Sequence, residues 1–152
     1  MFDVSPMIDS ISHDTLKTIG RLEPLWSMNE REAKIMAERF TPDPGPDFNP
    51  RQIAANLSEQ LGKIIVRVGA EGTWFGEGGT VQHIPTIKVR PVDSNGAGDA
   101  HSGVLCACIA KGMDLESALR WANIAGALST TKIGPATCPT AAEIASNVAG
   151  AV

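Results

Sequence analysis

The sequence lacks a positive surplus. Thirteen Lys and Arg residues stand against 17 Asp and Glu, a formal net charge of -4. That balance argues against nucleic acid as the main partner, because a phosphate backbone needs a positive face. A small anion held by a few local groups remains compatible. The sequence also lacks a long apolar run: no window approaches the ~18 residues needed to cross a membrane. Its first residues, MFDVSPMIDSISHD, show no basic start followed by an apolar stretch, so no secretory signal is read and the expected compartment is the cytoplasm. Cysteine is scarce, with Cys106, Cys108 and Cys138 making three. An odd number without a secretion signal reads as reduced thiols. Cys106 and Cys108 lie two apart in a helical pattern, so they point to different faces and read as buried small hydrophobes rather than metal ligands. Aromatic residues are few, and Trp26, Trp74 and Trp121 are scattered rather than grouped as a base-stacking surface would require. His13 and His83 have no partner at ligand spacing, and no internal repeat or low-complexity segment is present.

What remains is an ordinary globular composition. The 152 residues are 43% hydrophobic and 20% charged, enough for one domain with a core that needs neither metal nor disulfide. Leu16, Ile19 and Leu22 mark a helix over His13 to Leu22 with Ser12 as its cap. Leu25 to Met28 reads as a short buried strand after Pro24. Asn29 begins a helix with Ala33, Ile35, Met36 and Phe40 on its apolar face. Thr41 to Pro50, with four prolines and one glycine, reads as a mobile or lid-like loop. Ile53, Leu57 and Leu61 mark a helix ended by Gly62, and Ile64 to Val68 a buried strand. Thr73 to Phe75 and Val81 to Ile84 read as a hairpin around Gly76 to Gly79, and Ile87 to Val92 as another strand. A helix follows the glycine-rich turn at 93–99 and ends at Gly112. Asp114 caps the next, which runs to about Thr131, and Ala141 to Val148 forms a last one. Strands alternating with helices predict an α/β sheet with helices on its faces. Phe2-Asp3-Val4 reads as the end of a strand, and the strands are few for the helices; both features predict a piece of a larger fold.

The chemistry concentrates in Asp93-Ser94-Asn95-Gly96-Ala97-Gly98-Asp99. Two glycines around a small alanine let backbone approach a ligand closely. The helix that follows aims its first N–H groups and about half a positive charge at that place. This suits a phosphate or a transferring phosphoryl group. Asp99, in the first helical turn, is placed to accept a hydroxyl proton as a general base. A tight turn with a helix-capping acid explains the same spacing equally well. A Walker A loop would need Gly-Lys followed by Ser or Thr, which no run supplies. A dinucleotide fingerprint would need glycine where His101 stands.

The run DSNGAGDAHSG resembles the second signature of the PfkB (ribokinase-like) carbohydrate kinases. Asn29-Glu30-Arg31-Glu32 resembles the family's Asn-x-x-Glu motif. Val68-Gly69-Ala70-Glu71-Gly72 resembles its nucleotide-site strand and turn. Trp121-Ala122-Asn123 through Lys132-Ile133-Gly134-Pro135 resembles the helix and loop beside the adenine. The resemblance covers nearly all of residues 1–152, but only the C-terminal, nucleotide-binding half of a family member. It implies a ribokinase-like three-layer α/β/α fold, here incomplete and without the N-terminal substrate and lid half. It also implies ATP-dependent phosphorylation of an alcohol on a sugar or related small molecule.

The same resemblance assigns roles. Asp99 would be the catalytic base, with Gly96, Ala97 and Gly98 as the anion hole. Arg67, Gly69, Gly72, Asn123 and Gly134 would bind nucleotide. Asn29 and Glu32 would organise magnesium indirectly, a reading compatible with a capping box at the same two residues. Asp93 and the Asn95 carbonyl would hold a monovalent cation such as potassium. Two residues depart from the pattern. Arg67 replaces a threonine and reads equally as a phosphate ligand or a structural ion pair. His101 replaces a phenylalanine and reads as a packing or surface residue. The implied partners are ATP and a sugar-like substrate, with no nucleic acid and no membrane, and a homodimer in the full-length protein. Alternatives are a non-catalytic nucleotide-binding fragment and a nucleoside kinase of the same fold.

Overall fold

The two central strands of the sheet are buried on both faces, since Ser27 and Ile65 are as buried as the residues on either side of them. Trp26 and Met28 on one strand, and Ile64 and Val66 on its neighbour, point the same way and are fully buried. The computed structural model that shows this describes residues 1–41 and 49–148. Five strands form one sheet in sequence order: β1 (Phe2–Asp3), β2 (Trp26–Asn29), β3 (Ile64–Arg67), β4 (Thr73–Glu77) and β5 (Thr80–Ile84). β1 pairs with β2 and β2 with β3 in parallel, which requires helical crossovers between them. Those crossovers are α1 (His13–Gly20), then α2 (Glu30–Phe40) and α3 (Pro50–Leu61). Leu16 of α1, Ala33 and Met36 of α2, and Ile53 and Leu57 of α3 close over the strand side chains. Burial of each such Leu, Ile or Met contributes about 1.5–3 kcal/mol.

The chain divides into two compact units. The first comprises residues 1–68 and 74–83 and holds the sheet with α1 to α3; the second comprises residues 69–73 and 84–152. In the second, α4 (Ala97–Ala110) packs on α5 (Leu115–Ser129), and α5 on α6 (Ala141–Val148). Ile124, Ala125 and Ile144 form its buried centre, with Ile87, Val104, Trp121 and Leu128 packed around them. Asp114 caps α5 by accepting the Ser117 N–H at 2.9 Å.

Most of the expected elements stand where periodicity put them. The strand expected at Ile87 to Val92 does not form. Pro85 and Pro91 bracket it and remove ladder donors. The Thr86 hydroxyl instead donates to the Asn123 carbonyl at 2.9 Å, and the Val92 N–H to the Thr130 carbonyl at 2.7 Å. The hairpin turn is also tighter than expected, because Gly76 belongs to β4: a Cβ there would lie 2.5 Å from the Ala54 carbonyl of α3. Unforeseen was a 3-10 turn at Pro6–Ser10, entered through Ser5 at φ 73°. Arg31 binds it by pairing with Asp9 and donating to the Pro6 carbonyl. Of the expected loop Thr41 to Pro50, residues 42–48 lie outside the described residues, and with them the reading of a lid. Pro50 is already the first residue of α3. Only Cys108 is buried; Cys106 is exposed, against expectation, as is Cys138.

Candidate active site

The turn before α4 is built around Gly96, whose φ of +79° is left-handed. A Cβ at this position would lie 2.1 Å from the Pro135 carbonyl oxygen. Backbone thus presses on backbone here, and no other residue fits. Asp93 makes the approach permanent. Its Oδ1 accepts the Asn95 N–H at 3.0 Å, and its Oδ2 accepts the Gly134 N–H at 2.9 Å. These two donors, Asn95 first, hold the Asp93 carboxyl below the usual carboxylate range. Each Asp93 oxygen thus already accepts one backbone donor.

Asp99 is the third residue of α4 and exposed, and its carboxylate has no hydrogen bond or ion pair among the described residues. The expected trio of amide donors is modified. The Ala97 N–H closes the turn on the Ser94 carbonyl through a long bond of 3.3 Å, whereas the N–H groups of Gly96 and Asp99 have no hydrogen bond among the described residues. A helix N-terminus with unspent donors, beside an uncommitted carboxylate, can stabilise an anion and accept a proton in one place. Two large apolar side chains flank the turn in the open, Val92 at 62% and Ile133 at 82% exposure.

Asn123 is buried on α5. Its Nδ2 donates to the Ile84 carbonyl at 2.8 Å and reaches Thr73 Oγ1 and the Pro85 carbonyl at 3.3 Å. The residue thus holds α5 to Thr73 and the Ile84–Pro85 backbone within the second unit. Gly69 opens a 3-10 turn, Gly69–Glu71, and Gly72 follows it, packed under the Ile84 carbonyl. His101 is buried in α4 against Gly126, so of its two expected roles packing is the one seen.

The first unit carries the second group of expected site residues. Asn29 and Glu32 form a full capping box: Asn29 Oδ1 accepts the Glu32 N–H at 2.9 Å, and Glu32 Oε2 accepts the Asn29 N–H at 2.8 Å. Asn29 Nδ2 also donates to Glu32 Oε1 at 2.9 Å. Arg67, at the end of β3, is an ion-paired residue. Its Nη1 lies 2.8 Å from Asp3 Oδ2, and its Nη2 3.6 Å from Glu32 Oε2. Of its two expected roles, the structural pair is the one observed. Asp3 went unnoticed in the sequence because it stands 64 residues from Arg67 and in no motif. Ser27, its register partner on β2, is also new: its hydroxyl is buried and has no hydrogen bond among the described residues.

Among the described residues no group of three or more His, Cys, Asp or Glu could cage a metal. Among the described residues no helix is long and apolar enough to cross a membrane.

The pfkB family carbohydrate kinase profile matches residues 5–142. The chain belongs to the pfkB family. It is 32% identical over 142 residues to the uncharacterized sugar kinase YegV of Escherichia coli (strain K12), covering 93% of this chain and 43% of that protein. A Burkholderia thailandensis nucleoside kinase solved with inosine superposes with a TM-score of 0.79 at 27% identity, over 99% of this chain and 47% of that one. A putative ribokinase II from Escherichia coli, solved with ATP and magnesium, gives 0.72 at 27% identity, over 95% of this chain and 45% of that one. The fold is therefore ribokinase-like α/β, and this pfkB chain spans less than half the length of these relatives.

Proposed function

We propose that residues 1–152 form the C-terminal, nucleotide-binding portion of a pfkB-type kinase acting in ATP-dependent transfer of a phosphoryl group to an alcohol of a sugar or related small molecule. The observation that carries this reading is the Asp99 carboxylate, exposed and uncommitted in the first turn of α4, beside a turn locked by Gly96 and Asp93. In the proposed reaction Asp99 takes the proton of the acceptor hydroxyl. The acceptor oxygen then bonds to the γ-phosphorus, the bond from that phosphorus to the β–γ bridging oxygen breaks, and ADP leaves. The N–H groups of Gly96, Gly98 and Asp99 face the charge on the transferring group, joined by that of Ala97 if it leaves the Ser94 carbonyl.

Val92 and Ile133 offer apolar surface to a base, next to Gly134. Asn123 and the turn at Gly69 and Gly72 shape the nucleotide side from within the second unit. Magnesium, when bound with nucleotide, would neutralise phosphate charge; Asn29 and Glu32 are the residues assigned to order its waters. Potassium at Asp93 and the Asn95 carbonyl is a further part of the reading. Three free thiols support a reducing, cytoplasmic setting.

Thermal unfolding of the chain with ATP and magnesium, run beside a phosphotransfer assay over sugars and nucleosides, tests the proposal. Protection by nucleotide with turnover of a sugar supports it in full. Protection without turnover favours a nucleotide-binding portion that needs the remainder of the kinase, a reading supported by the 43% coverage of its sugar-kinase relative. Turnover of nucleosides alone would move the acceptor to the class bound by the inosine complex. Absence of any protection refutes the proposal.

A further inference from the structure

At the amino ends of β2 and β3 the first unit holds a cavity of about 590 Å³, within the range of small-molecule sites. Lys63, which lines it, directly precedes β3, and the Lys63 carbonyl accepts the Trp26 N–H at 2.9 Å at the head of β2. Asn29 and Arg67 stand at the other ends of these strands, about 13 Å of extended chain away. The cavity is thus separate from the strand ends that carry those two expected site residues.

Its lining combines three chemistries. Lys17, in the last turn of α1, and Arg21, the C-cap of that helix, stand four residues apart on one face, exposed and without an ion pair among the described residues. The carbonyl end of α1 attracts cations, but two of like sign at this spacing repel each other. A bound anion removes that repulsion. Lys63 is matched by Glu77 at 3.6 Å, which leaves Lys17 and Arg21 against Glu23, a local positive excess in a chain whose formal charge is -4. Glu23 and Gln60 add hydrogen-bonding groups, and Phe40, half-buried with its ring 4.7 Å from that of His13, adds an apolar wall. Glu23 holds a left-handed backbone, φ 47°, that a glutamate rarely adopts, so the chain is strained where it lines the cavity.

We propose that this cavity binds a sugar monophosphate, with its phosphate on Lys17 and Arg21, its hydroxyls on Glu23 and Gln60, and the C–H face of its ring on Phe40. Free phosphate would leave most of the volume and the apolar wall unused. An unphosphorylated sugar would leave two cations unmatched. A nucleoside triphosphate would bring a polyanion past the carboxylates of Glu23 and Glu77. The strain at Glu23 is that of a binding group held in place by its surroundings. The site lies beyond the proposed function and does not depend on it.

Calorimetry on the whole 152-residue chain, in chelator and without nucleotide, tests this with ribose 5-phosphate, fructose 6-phosphate, inorganic phosphate, ribose and fructose as probes. A sugar phosphate should bind about tenfold or more tighter than inorganic phosphate or either free sugar. Lys17→Gln/Arg21→Gln should weaken it about tenfold or more, and the melting temperature should hold because both side chains are exposed. Phe40→Leu keeps apolar bulk without the flat ring and should weaken binding about threefold. Glu23→Gly should lower affinity while the melting temperature stays equal or rises, since glycine takes the left-handed backbone freely. Amide NMR shifts on adding ribose 5-phosphate should centre on residues 17–23 and 60–63.

Inorganic phosphate or a free sugar binding as tightly as the sugar phosphates would reduce the cavity to an unspecific contact and overturn the inference. Affinity unchanged in Lys17→Gln/Arg21→Gln, or shifts centred on residues 93–99, would put the ligand elsewhere and overturn it equally. So would the absence of binding at about 10 mM sugar phosphate. None of these results bears on protection by ATP, by which the proposed function stands or falls.

Discussion

At Gly96 a single hydrogen atom separates the turn from its neighbour. Replacement by alanine sets a Cβ 2.1 Å from the Pro135 oxygen and forces a φ of +79° on an L residue. The loops at 93–96 and 134–135 must then part, so Gly96→Ala should lose about 2–4 kcal/mol in denaturant unfolding. Gly134→Ala is the control: its φ is +104°, but its Cβ would meet nothing within 4 Å. Backbone strain alone should cost about 1–2 kcal/mol there. Equal losses in the two variants would refute close approach as the reason for glycine at 96. Asp99 is a different kind of residue, because it touches nothing whose loss would unsettle the fold. Asp99→Asn should leave the melting temperature and nucleotide protection close to wild type while lowering any phosphotransfer about 10²–10⁴-fold. An asparagine variant that retains full turnover would remove the base role.

The start of α2 shows how an element can be both structural and functional. The Asn29–Glu32 box satisfies two N–H groups of the first turn, and the expected capping reading is what the structure displays. Asn29→Ala should destabilise the chain by about 1–2 kcal/mol, read from chemical unfolding, with Asn29→Ser recovering most of the loss. Failure of serine to rescue would show that Asn29 matters for its Nδ2 bond to Glu32 rather than for the cap. Elements of this sort are legible in sequence because their signals are local: a cap residue with its partner three positions on, an apolar face repeating each turn, two glycines before a helix. The box at Asn29, the helices at Leu16 and Leu57, and the turn ahead of Asp99 all follow from such signals. Long-range events escaped. Nothing local pairs Arg67 with Asp3, makes Gly76 a close-approach residue under α3, or spends the amide of Asn123 on Ile84. The segment Ile87 to Val92 shows the converse error, since its apolar pattern fits a strand while two prolines deny it a ladder.

At the scale of the whole fold, the three carboxylates held below their ordinary acid range among the described residues all belong to the second unit. Asp93 bridges Asn95 and Gly134, Asp114 caps α5 at Ser117, and Glu143 receives the N–H and hydroxyl of Thr140 at the head of α6, with Lys132 nearby. In each the largest cause is a backbone donor that exists only in the folded chain. Lowered folded values mean that the unfolded chain binds protons more readily than the native one. The stability they contribute is therefore fully present above the unfolded carboxylate range near pH 4, and is lost as pH falls through the lower folded values. Between pH 7 and 5 this contribution should be flat; below about pH 4 protection of amides in α5, α6 and the 93–96 turn should decline, as read by hydrogen exchange. The triple variant Asp93→Asn, Asp114→Asn, Glu143→Gln separates this cause from general acid unfolding. Its asparagines and glutamine carry no charge to lose, so it should be less stable than wild type at pH 7 yet flatter below pH 5, the two curves converging in acid. Parallel curves, with the variant as acid-sensitive as the wild type, would show that other groups drive the transition and that the three capped carboxylates only decorate it.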